Sequence, residues 1–170
     1  AIVSNMSAGD SFSLSRFGST VEHRSRGLWK STETTKLAAQ RWVASLDANL
    51  GGTATEEALE STFSLNQAGT SDVLLITDGE FYAIDSTIAA ARKSGHRIFV
   101  VGIGCSPAES NLRRLAEATG GACDFVAPGE VVEPAVLRMF ARLRSARLEE
   151  VSVVWPEGVK PLWASPIKTA

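Results

Sequence analysis

Apolar and polar residues alternate over Phe12–Phe17, the period of a strand with one face against a core, and Gly18-Ser19 breaks the run. Val21 to Leu28 is predicted as a short, polar edge strand. Ser31 or Thr32 then caps a helix whose apolar residues, Leu37, Ala38, Trp42, Val43 and Leu46, recur at helical spacing. Asn49 to Gly52 forms a loop. Thr53-Ala54-Thr55-Glu56 has the form of a capping box, and Ala58, Leu59, Thr62, Phe63 and Leu65 continue a second helix. Ahead of all this, Ala1-Ile2-Val3-Ser4-Asn5-Met6 reads as the last turns of a helix ending at Ala8-Gly9-Asp10, so a first element is expected to be missing.

From Val73 onward the pattern changes character. Val73-Leu74-Leu75-Ile76-Thr77 is apolar without alternation and is closed by Asp78-Gly79, which predicts a strand buried on both faces and hence a parallel sheet. Ile84 to Lys93 is helical and Gly95 ends it. Ile98 to Ile103 repeats the buried-strand pattern. Ser106-Pro107-Ala108-Glu109 caps the next helix, through Leu112, Leu115 and Ala116 to Gly120-Gly121. Cys123 to Val126 is a third strand, and Glu133 to about Arg147 a final helix with Val136, Leu137, Phe140 and Leu143 inward. Alternating strands and helices specify an α/β fold, a Rossmann-like and mostly parallel sheet flanked by helices. After Leu148 the rhythm stops: Val151-Ser152-Val153-Val154-Trp155 is strand-like and Pro156, Pro161 and Pro166 follow. The expected division is a partial domain over 1–147 and the start of a β-type segment over 148–170.

Composition narrows the function. A chain of 170 residues suffices for one domain with its own core. Lys plus Arg (17) against Asp plus Glu (19) gives a formal charge of −2, so no basic surplus points to nucleic acid or an anionic membrane. Two Cys and two His supply neither a usual zinc set nor a disulfide framework. Cys105 follows one strand and Cys123 begins the next, opposite ends of parallel neighbours, so two free thiols are expected. The first residues lack the charged opening of a secretory signal, and no apolar run is long enough to span a bilayer; the compartment stays open.

Ligands of open parallel sheets bind outside the carboxyl ends of the strands. Two loops placed there carry hard oxygen donors suited to Mg²⁺ or Mn²⁺: Gly51-Gly52-Thr53-Ala54-Thr55 and Thr77-Asp78-Gly79-Glu80. Together with Asp10-Ser11-Phe12 through Arg16-Phe17-Gly18-Ser19 and Ile98-Phe99-Val100-Val101-Gly102-Ile103-Gly104, these stretches resemble the von Willebrand factor type A domain over roughly residues 1 to 147. The likeness is greatest to the variant in inter-alpha-trypsin-inhibitor heavy chains and related bacterial proteins, where a β-rich segment follows the last helix.

The resemblance implies a metal-ion-dependent adhesion site, with Thr53 and Asp78 as the metal residues, Glu80 shaping or charging it, and a protein ligand presenting an acidic side chain. It also implies Asp-x-Ser-x-Ser on the first, central strand. None of Asp10, Asp47, Asp72, Asp78, Asp85 and Asp124 has Ser at both the second and fourth following positions. The motif and its strand are thus absent, and weak or no metal binding is expected of these 170 residues. The empty central position leaves two strand edges unpaired, which is costly when buried. Val151 to Trp155, or a strand of another copy in a homodimer, is expected to fill it.

Other readings carry less. Gly9-Asp10-Ser11-Phe12 resembles the opening of GDSL-type esterases, but His23 and His96 stand in no matching motif to serve Ser11 as base. Gly102-x-Gly104 has Pro107 where a dinucleotide fingerprint needs its third glycine. Arg138, Arg142, Arg144 and Arg147 read as a solvated helix face. The chain is therefore read as an adhesion-type interaction domain and not an enzyme. The alternatives are a Mg²⁺-dependent phosphoryl-transfer or hydrolase domain, and a structural interaction domain with a degenerate metal site.

Overall fold

The computed structural model describes residues 2–47, 51–52, 54–66, 69–78, 83–104 and 108–145. A single 3-10 turn at Val3–Asn5 precedes four short strands, β1 (Ser11–Phe12), β2 (Ser15–Phe17), β3 (Val21–His23) and β4 (Trp29–Lys30). Helices α1 (Glu33–Ala44) and α2 (Thr55–Phe63) follow. Then come β5 (Asp72–Thr77), α3 (Ile84–Ser94), β6 (Arg97–Ile103), α4 (Glu109–Ala118), β7 (Cys123–Val126) and α5 (Val132–Leu143).

The last three strands form one parallel sheet in the order β5-β6-β7, in register from Asp72↔Arg97 to Thr77↔Gly102 and from Val100↔Cys123 to Ile103↔Val126. Strand β6 is central, and Ile98 to Val101 are shut off from solvent. Ile98 and Val100 pack with Ala91 of α3 and Leu112, Leu115 and Ala116 of α4. Phe99 and Val101 point the other way, onto Ala135 and Met139 of α5. A strand covered on both faces must be apolar at every position, which is why its sequence does not alternate.

The other two sheets are antiparallel pairs, β1 with β4 and β2 with β3. The single strand predicted over Phe12–Phe17 is therefore two, and the strand predicted over Val21 to Leu28 is shorter, β3 ending at His23 and β4 beginning only at Trp29. The interruption is held by side chains: Ser13 Oγ lies 3.1 Å from Ser25 Oγ, and Ser25 Oγ donates to Gly27 O at 2.6 Å. The N-terminal segment keeps only one 3-10 turn before Met6 leaves helical geometry.

Helix α1 starts where predicted. Thr32 Oγ1 accepts from Thr35 N at 3.2 Å and Thr35 Oγ1 accepts from Thr32 N at 2.9 Å, a reciprocal box with Thr in the place of Glu. Its apolar face is a correction. Leu37 is 51% exposed and Val43 48%, and only Ala39 is buried. Gln40 Nε2 donates to Ser4 Oγ at 3.0 Å, so the helix leans on the N-terminal turn instead of the sheet. A groove of about 1140 Å³ runs between β5 and the β1–β2 strands, lined also by Val43, Leu59 of α2 and Phe140 of α5. The same groove leaves Ile76 40% exposed, against the expectation that β5 is buried on both faces. Val136, Leu137, Phe140 and Leu143 of α5 are likewise half-buried, and all four line the groove.

The arginines of α5 are not a simple solvated face. Arg138 Nη2 donates to Asp124 Oδ2 at 2.9 Å, and Arg144 Nη1 reaches Asp10 Oδ2 at 2.6 Å across 134 residues of sequence. Ser7 N also donates to Asp10 Oδ2, at 2.7 Å. The Ser7 amide first, and the Arg144 guanidinium second, hold the Asp10 carboxyl below the ordinary carboxylate range. A carboxyl depressed in the folded state adds stability above its unfolded pKa and loses it as pH falls through the folded value. Asp10→Asn should therefore flatten the acid limb of a stability–pH curve, measured as urea midpoints between neutral pH and pH about 3. An unchanged acid limb would show that the Asp10–Arg144 contact contributes nothing to the fold.

Arg147 and Val151 to Trp155 lie outside the described residues, as do Cys105, Ser106 and Pro107. Cys123 is a free thiol, and burial pushes it up to about 12, out of the range of a reactive thiolate. Among the described residues no helix is long and apolar enough to cross a membrane.

Candidate metal and partner site at the carboxyl ends of the sheet

Strands β5, β6 and β7 all deliver their last residues to one edge of the sheet. Thr77 is buried, and Asp78, the next residue, is exposed. Beside it is a crevice of about 10 Å³, room for roughly one water-sized group, bordered by Thr77, Asp78, Gly104, Glu109 and Phe125. Two carboxylates, Asp78 and Glu109, thus share this edge, and Glu109 also pairs with Arg113 at 3.0 Å. Glu109 reads from sequence as part of a helix cap. Its place beside Asp78 depends on the β5–β6 register and carries no local signal.

The glycines here have steric duties. A Cβ on Gly102 would lie 2.5 Å from the Phe125 ring, so this residue lets β7 pack against β6. The Gly102-x-Gly104 pattern is accounted for by that approach and by the left-handed turn at Gly104 (φ 88°).

The second loop is set by the β2–β3 turn. Ala54 N donates to Gly18 O at 2.7 Å. Gly51 and Gly52 both have positive φ, and a Cβ on Gly52 would run into Ser19, 3.3 Å from its Cα. Thr53 itself lies outside the described residues, as do Gly79 and Glu80. Past the loop, Thr55 opens α2 fully buried, and its hydroxyl has no hydrogen-bond partner among the described residues. Glu56 Oε1 accepts from Ala83 N at 3.0 Å, which ties the start of α2 to the start of α3.

The donors fit a hard divalent cation in kind: the carboxylates of Asp78 and Glu109 at the crevice are oxygens. They do not fit in number. Among the described residues no three His, Cys, Asp or Glu come together as a metal group, and Mg²⁺ takes about six oxygens. The two histidines are committed elsewhere. His23 Nδ1 sits 2.7 Å from Ser15 Oγ, its cross-strand neighbour. His96 is buried, accepting from Ser71 N at 2.8 Å and placing Nε2 3.4 Å from Phe63 O. Neither serves Ser11.

An open parallel sheet with helices on both faces defines a doubly covered α/β domain. The chain belongs to the von Willebrand factor type A family, whose model matches residues 1–125. It is 28% identical over 178 residues to von Willebrand factor A domain-containing protein 5A of Homo sapiens, covering 99% of this chain and 22% of that protein. The rat protein of the same name is 26% identical over 171 residues, with 97% and 21% covered. The chain thus spans about a fifth of these curated relatives. A solved von Willebrand factor type A structure from Catenulispora acidiphila superposes with a TM-score of 0.72 at 21% identity, over 82% of this chain and 35% of that one. An aerotolerance-related membrane protein of Bacteroides fragilis gives 0.64 at 15% identity, over 84% and 82%. Both likenesses are of fold.

Proposed function

We propose that this interaction domain meets a protein partner at the carboxyl ends of β5 and β6, in a divalent-metal-dependent way once the site is complete. The observation that carries the reading is Asp78: an exposed carboxylate directly after β5, on the edge where β6 also ends, at the crevice it shares with Glu109. Asp78 and Thr53 are the residues of this chain assigned to the metal, with Glu80 alongside. A bound Mg²⁺ or Mn²⁺ would supply positive charge and open positions for an acidic side chain of the partner. The residues of this chain do the orienting. Buried Thr77 fixes the strand end, and the Gly52–Ser19 contact holds the second loop against the β2–β3 turn. The reading is of binding without turnover.

The test is thermal melting in Mg²⁺ or Mn²⁺ against EDTA. Residues 1–170 should show little or no shift. A chain extended upstream by about 40 residues, a strand–loop–helix unit, should gain stability by mass action, about 2.7 kcal/mol at a hundredfold excess over Kd. Asp78→Asn in the longer chain should abolish the gain. If the longer chain shows no response, the metal reading fails and a purely structural interaction domain replaces it. A phosphoester turned over by the longer chain would instead favour the phosphoryl-transfer alternative. The strand-like Val151 to Trp155 after α5 supports placing the domain with the inter-alpha-trypsin-inhibitor heavy-chain variant.

A further inference from the structure

The loop between β7 and α5 is exposed and mostly apolar, and it lies on the edge where Asp78 stands. Thr77 pairs with Gly102 and Ile103 with Val126. Asp78 follows Thr77, so it and Val126 stand at one level of the sheet, with β6 between them. Gly104 N, at the border of the crevice, donates to Val126 O at 2.8 Å and fixes the root of the loop to that edge. Ala127, Pro128, Gly129, Glu130 and Val131 follow, all exposed. The turn closes on itself. Glu130 N donates to Ala127 O at 3.0 Å, Glu130 Oε2 accepts from Ala127 N at 3.1 Å, and Gly129 takes the left-handed conformation (φ 85°). The one charged group of the loop is thus turned back onto its own backbone. Val131 is 73% exposed, the most exposed large apolar side chain among the described residues.

A single exposed valine is ordinary on a protein surface. This one is also the N-cap of α5, where its side chain makes no capping hydrogen bond. That position favours Ser, Thr, Asp or Asn and disfavours valine. Val131 therefore serves neither the core nor the cap. We propose that Val131 is an apolar contact for the protein partner. The partner presents an extended segment with two features: an acidic side chain for the metal at Asp78 and an apolar side chain for Val131. The proposal rests on the metal-dependent reading of the Asp78 edge. The interval between the two partner side chains follows from the sheet. Two strand separations of about 4.8 Å place the root of the loop about 10 Å from Asp78, and an extended segment covers about 10 Å in about three residues. Val131 lies beyond the root, so an interval of about three to five residues matches.

The probe is a library of random peptides displayed on phage, selected on the upstream-extended chain in Mg²⁺ and eluted with EDTA. Enriched peptides should carry Asp or Glu with an apolar residue about three to five positions away. Val131→Ser should weaken binding of the synthetic enriched peptide by about tenfold. Val131→Leu should keep it. The Mg²⁺-dependent gain in melting temperature should survive in both variants. In EDTA, Val131→Ser should melt about 2–4 °C higher, because a capping hydroxyl is gained. Unchanged peptide affinity in Val131→Ser overturns the proposal and leaves the metal reading standing. So do enriched acidic peptides that lack the apolar residue, and a chain that responds to Mg²⁺ yet enriches no acidic peptide. A lower melting temperature in Val131→Ser also overturns it, by showing that Val131 serves the fold. An upstream-extended chain whose melting ignores Mg²⁺ is the separate failure of the metal reading, and this proposal falls with it.

Discussion

Gly121→Ala is expected to cost about 3 kcal/mol or more, the scale of a forced backbone shift in a packed core. Gly121 sits where the end of α4 turns under β6. Its N–H donates to Ala116 O at 2.9 Å, and the next residue accepts at Ala122 O from Val100 N at 2.8 Å. A Cβ here would fall on the carbonyl oxygen of Ile98, 2.6 Å from its carbonyl carbon. Ile98 is wholly buried, and its own N–H is bonded to Thr119 Oγ1 at 3.0 Å, so the obstacle is pinned backbone. Gly9 is the control: nothing stands within 4 Å of a Cβ there, and Gly9→Ala should be close to neutral. Urea midpoints at unchanged slope measure both. A loss at Gly121 below about 1 kcal/mol would mean that the α4–β6 contact has slack.

The second large effect is expected at Phe99→Ala, about 3–5 kcal/mol by the usual cost of emptying an aromatic from a core. Phe99 is 1% exposed and packs in the layer with Val101, Ala135 and Met139, with Arg97 lying 5.1 Å over its ring. Its removal takes away the main contact between β6 and α5. At roughly 2–4 °C per kcal/mol for a chain of this size, the melting temperature should fall by about 10 °C. A fall of only a degree or two would show that α5 is held mainly at its carboxyl end, through Arg97–Leu143 and Arg144–Asp10.

Elements governed by local signals were legible in the sequence. The apolar runs of β5 and β6 and the glycines after α3 and α4 specify the parallel sheet, and consecutive strands leave little choice of order. Asp78 follows β5 because an Asp-Gly pair closes an apolar run. Relations between distant segments left no such mark. Periodicity shows that α1 has an apolar stripe at Leu37 and Val43, but says nothing of what covers it. The break in the hairpin hangs on one hydroxyl pair, Ser13 and Ser25, and the fate of Arg144 on an aspartate at the far end of the chain. Glu109 meets the site edge only because β5 and β6 pair in one particular register.

The order of strands in the parallel sheet also bears on how the chain acquires its shape. β5, β6 and β7 are neighbours in space and successive in sequence, each joined to the next by one helix. Their contacts close short loops, and short loops are the fast ones to form. The β1–β4 strands touch the rest mainly through α2 and the Gly18–Ala54 bond. Residues 72–143 are thus expected to collapse first, with the hairpin arriving late. Destabilising changes in β1–β4 should then speed unfolding, whereas the same loss of stability in β6 should slow folding.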